Sequence, residues 1–207
     1  MRTYQEVKKA VLAKNFLFST LEMFANYVFE RTSYEVTNKF DDFWHVLWIE
    51  NGEEKILTIK CTTKAGLKGA FDAPPTVEGI HGTAVIIFPQ ECKNAWKFID
   101  GGVPTRSYPW NHSYFAQIAP INYWRDGNKD THIDKVQEQD KKIFGTQWHV
   151  MSNPPPAWQS GNVNNWSEGC MGAEYAELEK ILPIARKSAA VYGNVVSGIC
   201  LNKEDIG

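Results

Sequence analysis

The chain has no excess of charge of either sign: 22 Lys and Arg stand against 24 Asp and Glu in 207 residues, a formal net charge of −2. Nucleic acid is therefore not the indicated partner, because a polyanion is captured through an excess of basic charge. Long apolar runs are also missing. The longest, Ala84 to Phe88, falls far short of the ~18 residues of a membrane span, so no span is expected. Lys8, Lys9 and Lys14 break up the start of the chain, which has no apolar stretch of the kind a secretory signal needs. Cysteine is sparse. Cys61, Cys92, Cys170 and Cys200 lie far apart with no C-x-x-C pair, so they read as thiols and not as a disulfide or zinc framework. No internal repeat or charge block divides the sequence.

What is present is the composition of a globular protein, 43% hydrophobic and 13% aromatic, enough for a sizeable core. Thr3-Tyr-Gln-Glu6 has the form of a capping box, and Tyr4, Val7 and Val11 repeat at helical spacing, which predicts an amphipathic helix ending near Asn15. Beyond Phe40 the period shortens. Phe43–Ile49 and Lys55–Lys60 are β-rich runs joined through Asn51-Gly52, a strong hairpin signal. Further strands are predicted at Thr83–Phe88, Ala95–Ile99, Ser113–Ile118 and Gly145–Met151. A second helix is predicted from about Ala173 to Val191, kinked or split by Pro183, and Asn194–Leu201 reads as a closing strand. The expectation is one mainly β domain with flanking helices, of the α+β class. Residues 1–37 form a helical lead-in and residues 38–207 the core. The segments Gly66–Gly82, Gly101–Trp110 and Asn153–Trp166, rich in Pro, Gly and Asn, are the loops where chemistry is expected.

The most informative stretch runs from Phe144 to Gly172. A strand-like Gly-Thr-Gln-Trp-His-Val-Met delivers His149, a loop with Pro154-Pro155-Pro156 follows, and the chain returns through Trp166-Ser-Glu-Gly-Cys170. Read as the start of a helix, that return suits a nucleophilic cysteine, since backbone N–H groups favour a thiolate and an imidazole removes the thiol proton. Gly169 allows close approach of backbone to substrate.

Ser167-Glu-Gly-Cys170, with a strand-borne histidine about twenty residues upstream, resembles the S-H-G-C signature of the L,D-transpeptidase catalytic domain family. The likeness is closer to a branch common in bacteriophage genomes, and Asn38–Asp42, Thr62-Thr63, Gly66-Leu67, Gly82-Thr83-Ala84 and Tyr123–Asp126 also fit that branch. The resemblance implies a β-sandwich or barrel core with a helix after the cysteine. It also implies Cys170 as nucleophile, His149 as general base, the N–H groups of Gly169 and Cys170 as oxyanion hole, and Ser167 as the residue that holds the turn. The implied substrate is the peptidoglycan stem peptide, attacked at the carbonyl of its diamino acid to give an acyl-enzyme that an amine or water resolves. Such an enzyme, made in the cytoplasm, acts on the wall after release or as part of a virion. Two alternatives stay open: a bacterial effector or wall-remodelling L,D-carboxypeptidase, and an inactive structural or wall-binding phage protein of the same fold. Glu168 stands where many members carry His, and a carboxylate there raises the thiol pKa. Met171-Gly172 replace the basic residue that often follows the cysteine.

Other candidates are weaker. His81-Gly82-Thr83 imitates the surroundings of the family's catalytic histidine but falls too early in the chain. His45, His112 and His132 have no partner motif and read as core or surface residues. Asp126, Asn128, Asp130 and Asp134 occupy positions 1, 3, 5 and 9 of a calcium-loop spacing, so a structural Ca²⁺ is the one cofactor considered; none is expected for catalysis. Their other use is to hold a turn through side-chain to backbone bonds. Trp158 and Trp166 flank the active-site loop and are the best of the tryptophans for groove contact, with Glu168 beside them as a substrate-binding candidate.

Overall fold

The computed structural model describes residues 1–72, 82–102, 111–126, 129–133, 138–153, 161–164 and 166–207. Helix α1 (Tyr4–Ala13) opens the chain behind the expected capping box. Thr3 accepts from the Glu6 N–H, Glu6 reaches back to the Thr3 N–H, and Tyr4, Val7, Ala10 and Val11 form the buried stripe. Strand β1 (Asn26–Arg31) follows. The hairpin of β2 (Asp42–Glu50) and β3 (Glu53–Cys61) turns at Asn51 and Gly52, both at positive φ as a tight two-residue turn requires. After the short α2 (Leu67–Asp72) come β4 (Thr83–Ile86), β5 (Gln90–Ile99), β6 (Tyr114–Gln117), β7 (Ile121–Asp126), β8 (Glu138–Lys142), β9 (Gln147–Val150) and β10 (Met171–Ala173). Helix α3 (Tyr175–Tyr192), strand β11 (Val195–Asn202) and a single turn, α4 (Lys203–Ile206), complete it.

Eight strands form one sheet in the order β10-β9-β6-β5-β11-β1-β2-β3, and β4-β7-β8 form a second, antiparallel sheet. The large sheet curls until its two edges meet. Just beyond β3, Thr62 donates to the Gly172 carbonyl at 2.7 Å and accepts from its N–H at 3.0 Å, so the sheet is nearly a closed barrel. The fold is thus mainly β with flanking helices, as expected.

The barrel interior is aromatic. Phe29 stacks on Trp44 at 4.7 Å, Trp96 lies 4.3 Å from Trp148, and Phe115 and Tyr27 close the group. Leu178, Ile181, Leu182 and Ala185 of α3 join that core, while α1 packs outside the sheet on Val28, Leu47, Ile199 and Leu201. Burial of this stripe explains why Pro183, expected to kink or split the helix, does not split α3: one missing N–H is offset by several packed side chains. Residues 26–31, assigned to the lead-in on sequence, lie inside the large sheet between β11 and β2.

The rim next to the β3–β10 junction is polar and fully paired. Asp42 takes the Thr63 N–H at 2.9 Å and its hydroxyl at 2.7 Å, Arg31 donates to Thr63 and to the Ile86 carbonyl, and Lys64 meets Asp41 at 3.0 Å. All of Arg31, Asp42 and Lys64 are buried, so each charge requires its partner. This network fixes Thr62 and Thr63 where the barrel closes.

Candidate active site on strands β9 and β10

Strand β9 pairs in parallel with β10, with Trp148 opposite Met171 and His149 opposite Gly172. Because side chains alternate, Trp148 and Met171 enter the core while Gln147 and His149 face outward, together with the position two residues before Gly172, which is Cys170. Strand spacing and rise put the Cα atoms of Cys170 and His149 on the order of 8 Å apart, within the combined reach of a thiol and an imidazole side chain. The pairing is tight. A Cβ at Gly172 would stand 2.1 Å from the His149 carbonyl oxygen, and one at Gly169, whose φ is +124°, 2.3 Å from that of Ala84.

Ser167 holds the turn that leads into Cys170. Its hydroxyl donates to the Cys170 carbonyl at 2.8 Å and accepts from the Gly169 N–H at 3.1 Å. The Gly169 N–H is therefore engaged in the resting turn, and an oxyanion there has to compete with Ser167. Thr146 adds a bond to the Gly169 carbonyl at 3.3 Å. A further clamp was invisible in the sequence. Asn38, at positive φ, accepts from the Asn164 N–H at 2.6 Å and the Leu67 N–H at 3.2 Å, and donates to the Asn164 side chain at 3.0 Å. Its backbone carbonyl also takes the Val163 N–H. Gly66 lies against Asn164, where a Cβ would meet the carbonyl at 1.9 Å, and donates to the Ser167 carbonyl. Residues 38, 62, 66 and 84 are thus brought around the Cys170 turn although they are distant in sequence.

The helix start expected at Cys170 is not there. The short strand β10 intervenes, and α3 begins only at Tyr175, so the thiol does not lie at the N-terminus of that helix. Cys170 is instead partly buried beside the apolar group of Phe40, Met151 and Val163, with Trp166 against the same group. Burial pushes its thiol up to about 11; the Gln147 N–H and the Thr146 hydroxyl act against that, and the Glu168 carboxylate adds to it. Glu168 itself is exposed. The influence of Gln147 and Thr146 on the thiol went unnoticed in the sequence, because nothing there marks which residues the fold sets beside it.

His149 is 3% exposed, and its Nδ1 donates to the Val150 carbonyl at 2.7 Å. That bond places the ring proton on Nδ1 and the lone pair on Nε2, the form a base requires. Burial brings the imidazole down to about 4, the Val150 bond opposes this, and the nearby His112 adds to it. His112, buried between the Ser113 carbonyl and Glu179, was read from sequence as a residue without a partner; Glu179 Oε1 lies 3.1 Å from its Nε2. At neutral pH the site therefore holds a neutral imidazole and a neutral thiol, not an ion pair.

Trp158, His81, Asn128 and Asp134 lie outside the described residues. Of the proposed calcium ligands, Asp126 ends β7 opposite Thr83, and Asp130 accepts from the His132 N–H at 2.7 Å, an Asx turn that uses the carboxylate locally. Among the described residues no three carboxylate, imidazole or thiol groups converge as a cation site needs. No helix among them is long and apolar enough to cross a membrane. No family profile, curated protein or solved structure matches the chain.

Proposed function

We propose that this chain is a cysteine-dependent enzyme of the L,D-transpeptidase type, a hydrolase or transpeptidase acting on peptidoglycan stem peptides after release or within a virion. The observation that carries this reading is the β9–β10 register, which sets Gly172 opposite His149; continued two residues back by strand alternation, it puts Cys170 on the same face as His149, with the Ser167–Gly169 turn beside them. Because the resting pair is neutral, proton transfer accompanies attack. Cys170 Sγ adds to the diamino-acid carbonyl as His149 Nε2 takes the thiol proton. The peptide C–N bond then breaks, His149 returns the proton to the departing amine, and the acyl group stays on sulfur. Water or an acceptor amine, deprotonated by His149, displaces the thiol and releases the product.

The burial of His149 and the raised pKa of the Cys170 thiol favour a second reading, a wall-binding protein of this fold whose site is silent. Digestion of purified peptidoglycan, followed by mass analysis of the muropeptides, separates the two. The enzyme produces stem peptides cleaved or exchanged beyond the diamino acid, and Cys170→Ala does not. Unchanged muropeptides together with retained sedimentation on the wall would establish the silent binder.

A further inference from the structure

On the outer face of β1, β2 and β3, away from Cys170, three polar side chains stand in line. Cross-strand register sets His45 opposite Thr58 of β3 and Val28 of β1, with Glu30 two residues further along β1. His45 Nε2 lies 3.0 Å from Glu30 Oε2, and its Nδ1 lies 2.9 Å from Thr58 Oγ1. Glu30 is only 2% exposed. Burial opposes its ionisation, yet hydrogen bonds from His45 and Arg2 outweigh burial and bring its carboxyl down to about 2. An ionised carboxylate can only accept, so Nε2 carries a proton. In the neutral imidazole Nδ1 then holds the lone pair, and the Thr58 hydroxyl donates to it.

The line borders a cavity of about 660 Å³, whose wall includes Phe43, Thr58, Lys60 and Lys203. Phe43 stacks on His45 with ring centroids 6.2 Å apart and supplies an apolar surface. Lys60 follows Thr58 by two residues on the same face of β3 and has no ion-pair partner among the described residues, so its charge is available to an incoming group. Arg2 fixes the other carboxylate oxygen of Glu30 at 2.8 Å, which locks the orientation of the whole chain of bonds.

We propose that Thr58, His45 and Glu30 form a second catalytic centre, separate from Cys170, in which the Thr58 hydroxyl opens small esters with an apolar acyl group. Thr58 Oγ adds to the ester carbonyl carbon while its proton passes to His45 Nδ1, and the negative charge gathering on the carbonyl oxygen faces Lys60. The bond to the alcohol oxygen breaks, His45 protonates the departing alkoxide, and the acyl group remains on Thr58. Water, deprotonated by His45, then attacks the acyl carbon. The bond to Thr58 Oγ breaks, its proton is restored from His45, and a carboxylic acid leaves. Glu30 remains ionised throughout and holds the imidazole in the tautomer that the first step needs.

The test is covalent labelling of the intact chain with an alkyl fluorophosphonate, followed by peptide mass mapping. The expected result is a phosphonyl adduct on Thr58 with release of fluoride, formed roughly 100-fold more slowly in His45→Gln, the scale of a lost general base. Peptide mass distinguishes this adduct from one on Cys170. Absence of the Thr58 adduct in the unaltered chain, a measurement that depends on no variant folding, would overturn the proposal. An unchanged labelling rate in a folded His45→Gln would overturn it equally.

Discussion

His149 and Glu30 are both hidden on the outer wall of one barrel, yet their surroundings drive them in opposite directions. At His149 burial outweighs the bond to the Val150 carbonyl, the His112 imidazole adds to it, and the ring is held neutral down to about pH 4. Glu30 is as thoroughly covered but receives Arg2 and His45, and it is charged down to about pH 2. Burial disfavours the charged form of both groups, and at Glu30 hydrogen bonds from a cationic and a donating partner reverse the outcome. The β9–β10 site is accordingly a neutral pair. The β1–β3 site is ionised in advance.

The largest effect that sharpens this contrast is loss of turnover. Cys170→Ala and His149→Ala are each expected to reduce stem-peptide turnover by roughly 10³-fold or more with an unchanged circular dichroism spectrum, since nucleophile and base act as a unit. His81→Ala is expected to keep most of it. Activity surviving in Cys170→Ala, measured on purified peptidoglycan, would remove the β9–β10 site from the comparison altogether.

Next in size is the steric tightness of that site. Gly172→Ala would place a Cβ 2.1 Å from the His149 carbonyl and should cost about 3 kcal/mol, whereas Gly101→Ala, with open space and only its φ of +77° to resist it, should cost about 1 kcal/mol. Urea unfolding of the two variants checks the difference. Equal costs would mean that β10 can move away from β9, and with it the thiol from the imidazole.

Acid unfolding distinguishes the regions by pH window. The imidazole of His149 is lowered from 6.5 to about 4, so the unfolded chain binds this proton first and stability falls as pH drops from 6.5 toward 4. The carboxyl of Glu30 is lowered from 4.5 to about 2, so its contribution is complete above 4.5 and disappears as pH falls toward 2. His149→Gln should flatten the upper window and Glu30→Gln the lower one in a series of denaturant titrations. If either variant flattened both, the two regions would be coupled through the sheet.

Which parts of this were legible in the sequence follows from how local each signal is. The capping box at Thr3 and Glu6 and the Asn51-Gly52 turn are complete within a few residues, and both form as expected. Strand β1 gave no alternation to detect, because all six of its residues are buried, Asn26, Glu30 and Arg31 included. The return to Cys170 was misread as a helix start because three residues of β10 are too few to show a period, and the strand exists only through pairing with β9. Asn38 and its clamp on Asn164, 126 residues apart, could not be inferred from spacing at all. At the site itself, the sequence pointed to Cys170, His149 and the Ser167 turn, and the fold brings these segments together. Their protonation states were not legible, since these depend on Phe40, Met151 and Val163 packing around the thiol.

The smallest effect concerns Glu168. Cys170 is the one thiol of the four that is not fully buried, so a small alkylating agent should modify it before Cys61, Cys92 or Cys200. Its rate should rise with pH toward a midpoint near 11, where the thiolate forms. The Glu168 carboxylate adds to that elevation but contributes less than burial, and because it is exposed, solvent and salt screen it. Glu168→Gln should therefore move the alkylation midpoint down by only a few tenths of a pH unit, with the shift shrinking further at high salt. A mutant profile displaced to higher pH would mean that Glu168 instead supports an imidazolium form of His149, and the neutral-pair description of the β9–β10 site would fail. An unchanged profile would leave burial as the sole source of the raised thiol pKa and direct attention to Glu168 as a contact for the amine of the substrate.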